Sequence, residues 1–294
     1  MNVTLFKSLF NTLCKLPFLA RLSGRMTEKI TAGIFAFGLA ALPLSALAID
    51  ADKKDIVIGT TVGDFADMVT ESVKPYLEQL GYKVKLVEFT DYVIPNIALA
   101  EGAIDVNCFQ HQPYLESFIK DRQLALSPVT QVPTGPMGLY SGKLPTLDQV
   151  RSGSKVAIPN DPSNQARALL MLADLGWITL KADIDPLKAS EFDIADNNKG
   201  IKLLMLEAAQ LPRARADVDF VVINGNYAAS SGIAFTESLF LERSYDFINW
   251  VVVRSADQDA SFVKDVMAAY NSPAFKDYAR ERFVGYKYPQ AWGQ

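Results

Sequence analysis

From Asp55 onward the chain alternates short apolar runs with longer stretches in which apolar positions recur every three to four residues. Residues 56–61 read as a strand and 64–80 as a helix stopped by Gly81. Residues 83–89 alternate as a strand does, 93–101 read as a helix ended by Gly102, and 104–109 return to strand. Strand, helix, strand, helix, strand in that order implies parallel pairing with helices over the sheet faces.

Between residues 127 and 145 four prolines and three glycines break the rhythm, and a loop-rich crossing to a second body is expected there. The pattern resumes with a strand at 156–159, a helix at 163–175 ended by Gly176, a strand at 201–206, a short helix near Gln210 and a strand at 218–223. After Phe235 come a strand at 249–253 and helices at 257–270 and 273–283, with no third strand-rich block. The expected fold class is α/β, with two α/β lobes joined by two crossing segments and a ligand cleft between them. Its divisions are 49–137 for the first part of lobe 1, 138–240 for lobe 2, and 241–294 for the return crossing and C-terminal helices packing on lobe 1. Ligands in such sheets sit beyond the strand C-termini, and hinge closure buries them.

The first 48 residues differ in character. Lys7, Lys15, Arg21, Arg25 and Lys29 stand against the one acid Glu28, and an apolar run from Ile30 to Ala48 ends in Ala46-Leu47-Ala48. This reads as a secretory signal peptide cut after Ala48. A run of 19 residues is also long enough to be retained as a membrane anchor, and Met26 offers a second, more compact start. Removing 1–48 takes five of 29 basic and one of 33 acidic residues, leaving 24 against 32 and a net charge of −8. That balance argues against nucleic acid and anionic membrane surfaces as partners. Cys14 lies in the segment to be removed and Cys108 remains alone, so no internal disulfide is expected. No cysteine follows the cleavage position closely enough to accept lipid, so the expectation is a freely diffusing, monomeric periplasmic protein of a double-membraned bacterium.

Signatures of catalysis fail in turn: G-x-S-x-G, H-E-x-x-H, the phosphate-binding G-x-x-x-x-G-K-[ST] and a post-strand G-x-G-x-x-G do not occur. His111 is the only histidine, and Cys108-x-x-His111 offers two ligands where zinc takes three or four. No enzyme activity, metal or cofactor is therefore expected. Other groups suit binding. Residues 105–114 crowd Phe109, His111 and Tyr114 at a strand-to-helix junction, able to wall a small apolar moiety or to serve as core residues and a helix cap. In Pro159-Asn160-Asp161-Pro162-Ser163-Asn164-Gln165-Ala166-Arg167 a strand turns into a helix, where Arg167 can fork onto a carboxylate or pair with a surface acid, and Ser163 or Asn164 can cap the helix. Asn224 and Asn249, at ends of apolar strands, can meet both charges of a zwitterion or serve as turn residues.

Taken together, Glu88-Phe89-Thr90-Asp91-Tyr92-Val93-Ile94-Pro95-Asn96, Phe109-Gln110-His111-Gln112-Pro113-Tyr114-Leu115, Pro159-Asn160-Asp161-Pro162-Ser163-Asn164, Arg167-Ala168-Leu169, Gln210-Leu211-Pro212-Arg213 and Ile223-Asn224-Gly225-Asn226-Tyr227 resemble the NlpA/MetQ family of methionine-binding proteins of ABC importers, in order over roughly 55–290. The resemblance implies a type II periplasmic-binding-protein fold and capture of L- or D-methionine, a related amino acid or a methionyl dipeptide for a membrane permease and ATPase. It further implies a cage of Tyr92, Phe109, His111 and Tyr114 around the ligand side chain, Arg167 on its α-carboxylate, and Asn164, Asn224 and Asn249 at the polar end. The chain departs from the family's pattern in lacking the lipid-acceptor cysteine, in carrying Cys108, and in matching only loosely around Asn249. Two other readings remain at this point: an exported enzyme using Cys108 and His111, and a ligand sensor docking to a membrane partner other than an importer.

Overall fold

The computed structural model describes residues 53–293, so the signal peptide with its cut after Ala48, the second start at Met26, and Cys14 lie outside the described residues. The chain begins with β1 (Asp55–Thr61). The helix expected over 64–80 is built in three pieces: α1 (Asp64–Met68), a π-helical turn at Val69–Val73, and α2 (Lys74–Gln79). Pro75 is the physical reason. A proline inside a helix removes one N–H and drives its ring against the carbonyl a turn earlier, and the wider π turn takes up that clash. Then follow β2 (Lys83–Phe89), α3 (Ile94–Ala100), β3 (Val106–His111), α4 (Gln112–Arg122) and β4 (Leu126–Val132). β1 lies parallel to both β2 and β3, as the alternation of elements implies.

The stretch 127–145, expected to be loop, instead contributes most of β4 and all of β5 (Gly138–Ser141). Pro128 fits within β4 because that strand is the edge of its sheet and its pairing slips between Val251 and Val252. β5 belongs to a second sheet, followed by β6 (Lys155–Pro159), α5 (Pro162–Asp174), the short pair β7 (Thr179–Leu180) and β8 (Ile194–Asp196), β9 (Lys202–Leu206), α6 (Leu211–Ala214), β10 (Phe220–Ile223), α7 (Gly225–Ser230) and β11 (Ser238–Leu241). The chain then returns to the first sheet as β12 (Asn249–Arg254), antiparallel to β3 and β4 and lying between them, before α8 (Ser261–Asn271) and α9 (Pro273–Arg282). The two large sheets read β2-β1-β3-β12-β4 and β11-β5-β10-β6-β9, and residues 133–137 and 242–248 carry the chain between them.

Each sheet has its own core. Phe262, Val263, Val266, Tyr270 and Phe275 of the C-terminal helices bury against Ile56, Ile58 and Val106 of the first sheet. Leu169 and Leu172 of α5 bury against Val156, Ile158, Phe220 and Val222 of the second. Each large apolar side chain so enclosed contributes about 1.5–3 kcal/mol.

One backbone approach ties the first crossing to the second lobe. A Cβ on Gly225, at the start of α7, would stand 2.2 Å from the Gly135 carbonyl oxygen, too close for any side chain. Gly225→Ala must push the crossing away from α7 and is expected to destabilise the protein by roughly 1–3 kcal/mol, as overpacking does. Denaturant unfolding reads this directly, and an unchanged midpoint would show that the contact yields without cost.

Candidate functional site

Between the two lobes lies a narrow cavity, concave and lined by both polar and aromatic side chains as small-ligand sites are. All eight residues singled out by the sequence line it: Tyr92, Phe109, His111, Tyr114, Asn164, Arg167, Asn224 and Asn249. Topology explains the convergence. The C-terminal end of β3 delivers Phe109 and His111, β12 enters beside it with Asn249 opposite His111, β10 ends one residue before Asn224, and the first turns of α5 supply Asn164 and Arg167.

One end of the cavity is aromatic. The Tyr92 ring lies 5.9 Å from Phe109, 6.0 Å from Tyr114 and 5.1 Å from Tyr227, centroid to centroid. Offset and edge contacts of this kind leave ring faces and edges for a polarizable thioether. Tyr114 Oη donates to the Tyr92 carbonyl at 2.7 Å, and Tyr92 Oη donates to Asn226 Oδ1 at 2.7 Å across the cleft. Tyr227 Oη reaches back to the Thr90 carbonyl at 3.1 Å, and Asn226 Nδ2 to Thr61 Oγ1 at 3.3 Å. These bonds hold the lobes together at the cage. Behind it, Asn96 and Gln110 exchange amide hydrogen bonds of 2.7 Å, and Asn107 donates to Asn96 at 2.8 Å. This buried trio ties α3, and with it the Tyr92 loop, to β3. Sequence reasoning gave it no role, although amides within an otherwise apolar strand were its visible signal.

The other end is polar. His111 is both helix cap and cavity wall: its Nδ1 accepts the Tyr114 N–H at 3.2 Å, which leaves Nε2 to donate to Asn164 Oδ1 at 3.2 Å. Burial, helped by the nearby Arg167 charge, pushes the imidazole pKa down to about 3, so it is neutral. The cap of α5 is Asp161, not Ser163 or Asn164: its Oδ1 accepts the Asn164 N–H at 3.0 Å, and its two oxygens hold Asn164 Nδ2 at 3.0 Å, which leaves Asn164 Oδ1 for His111 and Asn224. Asn164 Oδ1 also accepts from Asn224 Nδ2 at 2.8 Å. Asn224 occupies the cap position of α7 without making a cap bond, and its Oδ1 is buried with no partner among the described residues. Such an acceptor costs free energy until a donor meets it.

Arg167 departs from the expectation of an open fork. Its Nε and Nη2 grip both oxygens of Glu242, and both side chains are only 4% exposed. Nη1 is left with a long, 3.5 Å approach to Asn164 Oδ1, while Phe247 lies under the guanidinium plane at 4.9 Å. Burial alone would raise the Glu242 carboxyl, but Arg167 and the Lys287 ammonium, 3.1 Å away, hold it below the usual range. Glu242 also accepts the Met137 N–H at 3.1 Å, which joins the two crossings. The acid that Arg167 pairs with is thus buried rather than on the surface. Sequence reasoning missed it because Glu242-Arg243 looks like a solvated pair, though the apolar run Leu239-Phe240-Leu241 before it hinted at burial.

Cys108 does not join the site. It points into the core of the first lobe, fully buried, and burial pushes its thiol pKa far up, so no thiolate stands near His111. No group of three or more histidine, cysteine or acidic side chains suited to a metal occurs among the described residues. Because folded His111 refuses a proton until about pH 3 while the unfolded chain accepts it near 6.5, its share of stability is complete above about pH 6.5 and is lost as pH falls. The loss at pH 5 is roughly 2 kcal/mol. His111→Asn, which keeps a cap acceptor, is expected to flatten that part of the stability profile in denaturant unfolding, whereas an unchanged slope would assign the proton uptake elsewhere.

Residues 56–292 match the NlpA lipoprotein family. The D-methionine-binding lipoprotein MetQ of Salmonella typhi is 40% identical over 241 residues, which cover 80% of this chain and 89% of that protein. Among solved structures, a nutrient-binding protein from Burkholderia cenocepacia bound to methionine is 41% identical, with a TM-score of 0.75 over 78% of this chain and 97% of the other. The methionine-binding protein MetQ is 38% identical, with a TM-score of 0.75 over 79% and 96%. These relatives are binding proteins rather than enzymes, several are named lipoproteins, and the two-lobed α/β fold is of the periplasmic-binding type. The chain belongs to the NlpA lipoprotein family.

Proposed function

We propose that this protein captures methionine, as the L- or D-isomer, or a closely related amino acid or methionyl dipeptide, and delivers it to an ABC permease with its ATPase. One observation carries the reading: the same interlobe cavity has an aromatic cage at one end and, at the other, a buried guanidinium beside an amide oxygen with no partner among the described residues. A zwitterion with a soft apolar tail satisfies all three. Its carboxylate meets Nη1 of Arg167, its ammonium donates to Asn224 Oδ1, and its thioether packs among Tyr92, Phe109 and Tyr114. Asn249, whose backbone N–H is fixed by Thr134 Oγ1 at 2.8 Å, and Asn164 complete the polar end. The relatives named for methionine support the same assignment.

The wider reading follows from this site. The first sheet with the C-terminal helices forms one body and residues 138–241 the other, and the two turn about the crossings to admit and release ligand. The protein acts as a monomer without cofactor or nucleic acid, in the periplasm after cleavage near Ala48. No helix among the described residues is long and apolar enough to cross a membrane.

Methionine has about nine heavy atoms, each worth at most roughly 1.5 kcal/mol, so tight binding needs nearly every atom matched. In a thermal-shift panel of free amino acids, methionine at 100 times its dissociation constant is expected to add about 2.7 kcal/mol, and a larger shift with a charged or branched amino acid would reassign the cargo. Arg167→Ala is expected to weaken methionine binding by roughly 2–5 kcal/mol in calorimetry, at a temperature where the unliganded variant is folded. Unchanged affinity would remove Arg167 from the carboxylate site.

A further inference from the structure

Arg167 presents a puzzle for any anion-binding role, because a guanidinium that gives its Nε–Nη2 edge to both oxygens of a buried carboxylate is already neutralised. A second carboxylate stands close by. Asp161 holds Asn164 Nδ2 at 3.0 Å from both its oxygens, and the same amide's Oδ1 is the group nearest Arg167 Nη1. Arg167, Glu242 and Asp161 together would face an incoming carboxylate with two negative charges and one positive.

Lys287 reverses this. Its ammonium lies 3.1 Å from Glu242 Oε1, on the carboxylate that Arg167 grips, and it is only 10% exposed. It is not among the residues that line the cavity. The backbone fixes it there: Lys287 N–H donates to the Thr134 carbonyl at 3.0 Å and Thr134 N–H donates back at 2.9 Å, binding the C-terminal segment to the first crossing. The ammonium also donates to the Ser244 carbonyl in the second crossing. A lysine anchored on both crossings and aimed at Glu242 has a charge that water screens poorly.

We propose that Lys287 is a specificity-determining residue that acts through Glu242. By offsetting the Glu242 charge it leaves the Arg167 edge attractive to a carboxylate-bearing ligand, without touching that ligand. The inference rests on the proposed binding of an amino acid. It predicts that loss of the lysine charge hurts the recognition of carboxylate and spares the recognition of the side chain.

The test is the ratio of dissociation constants for methioninamide and methionine, obtained by calorimetry, with competition where the amide binds weakly. The amide keeps the ammonium and the thioether but lacks the anion. Lys287→Met is expected to cut the wild-type preference for methionine about tenfold, and Lys287→Arg to keep it within about threefold, since the charge is conserved. Glu242→Gln/Lys287→Met, which removes both charges together and leaves the net charge of the cluster unchanged, is expected to restore most of the preference and serves where the single variant folds poorly. A ratio unchanged in Lys287→Met, or lost equally in Lys287→Arg, or not recovered in the double variant, overturns the inference while leaving methionine binding intact. Failure of the wild-type protein to bind methionine at all overturns the functional reading and the inference with it.

Discussion

A charge taken out of water must be met by another, and this molecule seals a guanidinium beneath the place where its two lobes join. Removing one member of such a buried pair typically costs about 3–5 kcal/mol, because the survivor is stranded. Arg167 is met by Glu242, Glu242 by Lys287, and Lys287 by carbonyl and backbone partners in both crossings. The polar end of the cavity and the segments on which the lobes turn are therefore one electrostatic unit. A ligand anion arriving at Arg167 addresses groups that also tie the crossings together.

The aromatic end is held by different means. Its rings are fixed by hydroxyl bonds to backbone and to the facing lobe, and by the amide trio Asn96, Asn107 and Gln110 beneath them. Precise placement of a few rings serves a ligand this small, where a shift of one contact changes which tail fits. The neutral His111 lies between the two ends, linking the cage residue Tyr114 to the polar residue Asn164. With its proton fixed on Nε2, it passes orientation from one half to the other without adding charge.

Most of the first lobe's strands, the strand-to-helix turns and every cavity residue first singled out were readable from periodicity, turn chemistry and family resemblance. What escaped was set by neighbours distant in sequence. Pro75 bends the first helix into a π turn that a period of 3.6 cannot announce. Pro128 was read as a breaker, yet an edge strand with a slipped register accepts it. Asp161 took the cap that Ser163 or Asn164 could have filled, because it alone stands in the extended residue before the helix. Lys287 carries no local pattern, and Glu242 only the apolar run that precedes it. Each looks like an ordinary surface charge until the fold brings 167, 242 and 287 together.

The central claim is that the cavity holds a zwitterion by both charges at once. A crystal structure grown with L-methionine tests it most directly. The account predicts the carboxylate at Nη1 of Arg167, the ammonium within hydrogen-bond distance of Asn224 Oδ1, and the thioether among the rings of Tyr92, Phe109 and Tyr114. Density for the ligand outside the interlobe space, or inside it with the carboxylate turned toward the rings, would contradict it.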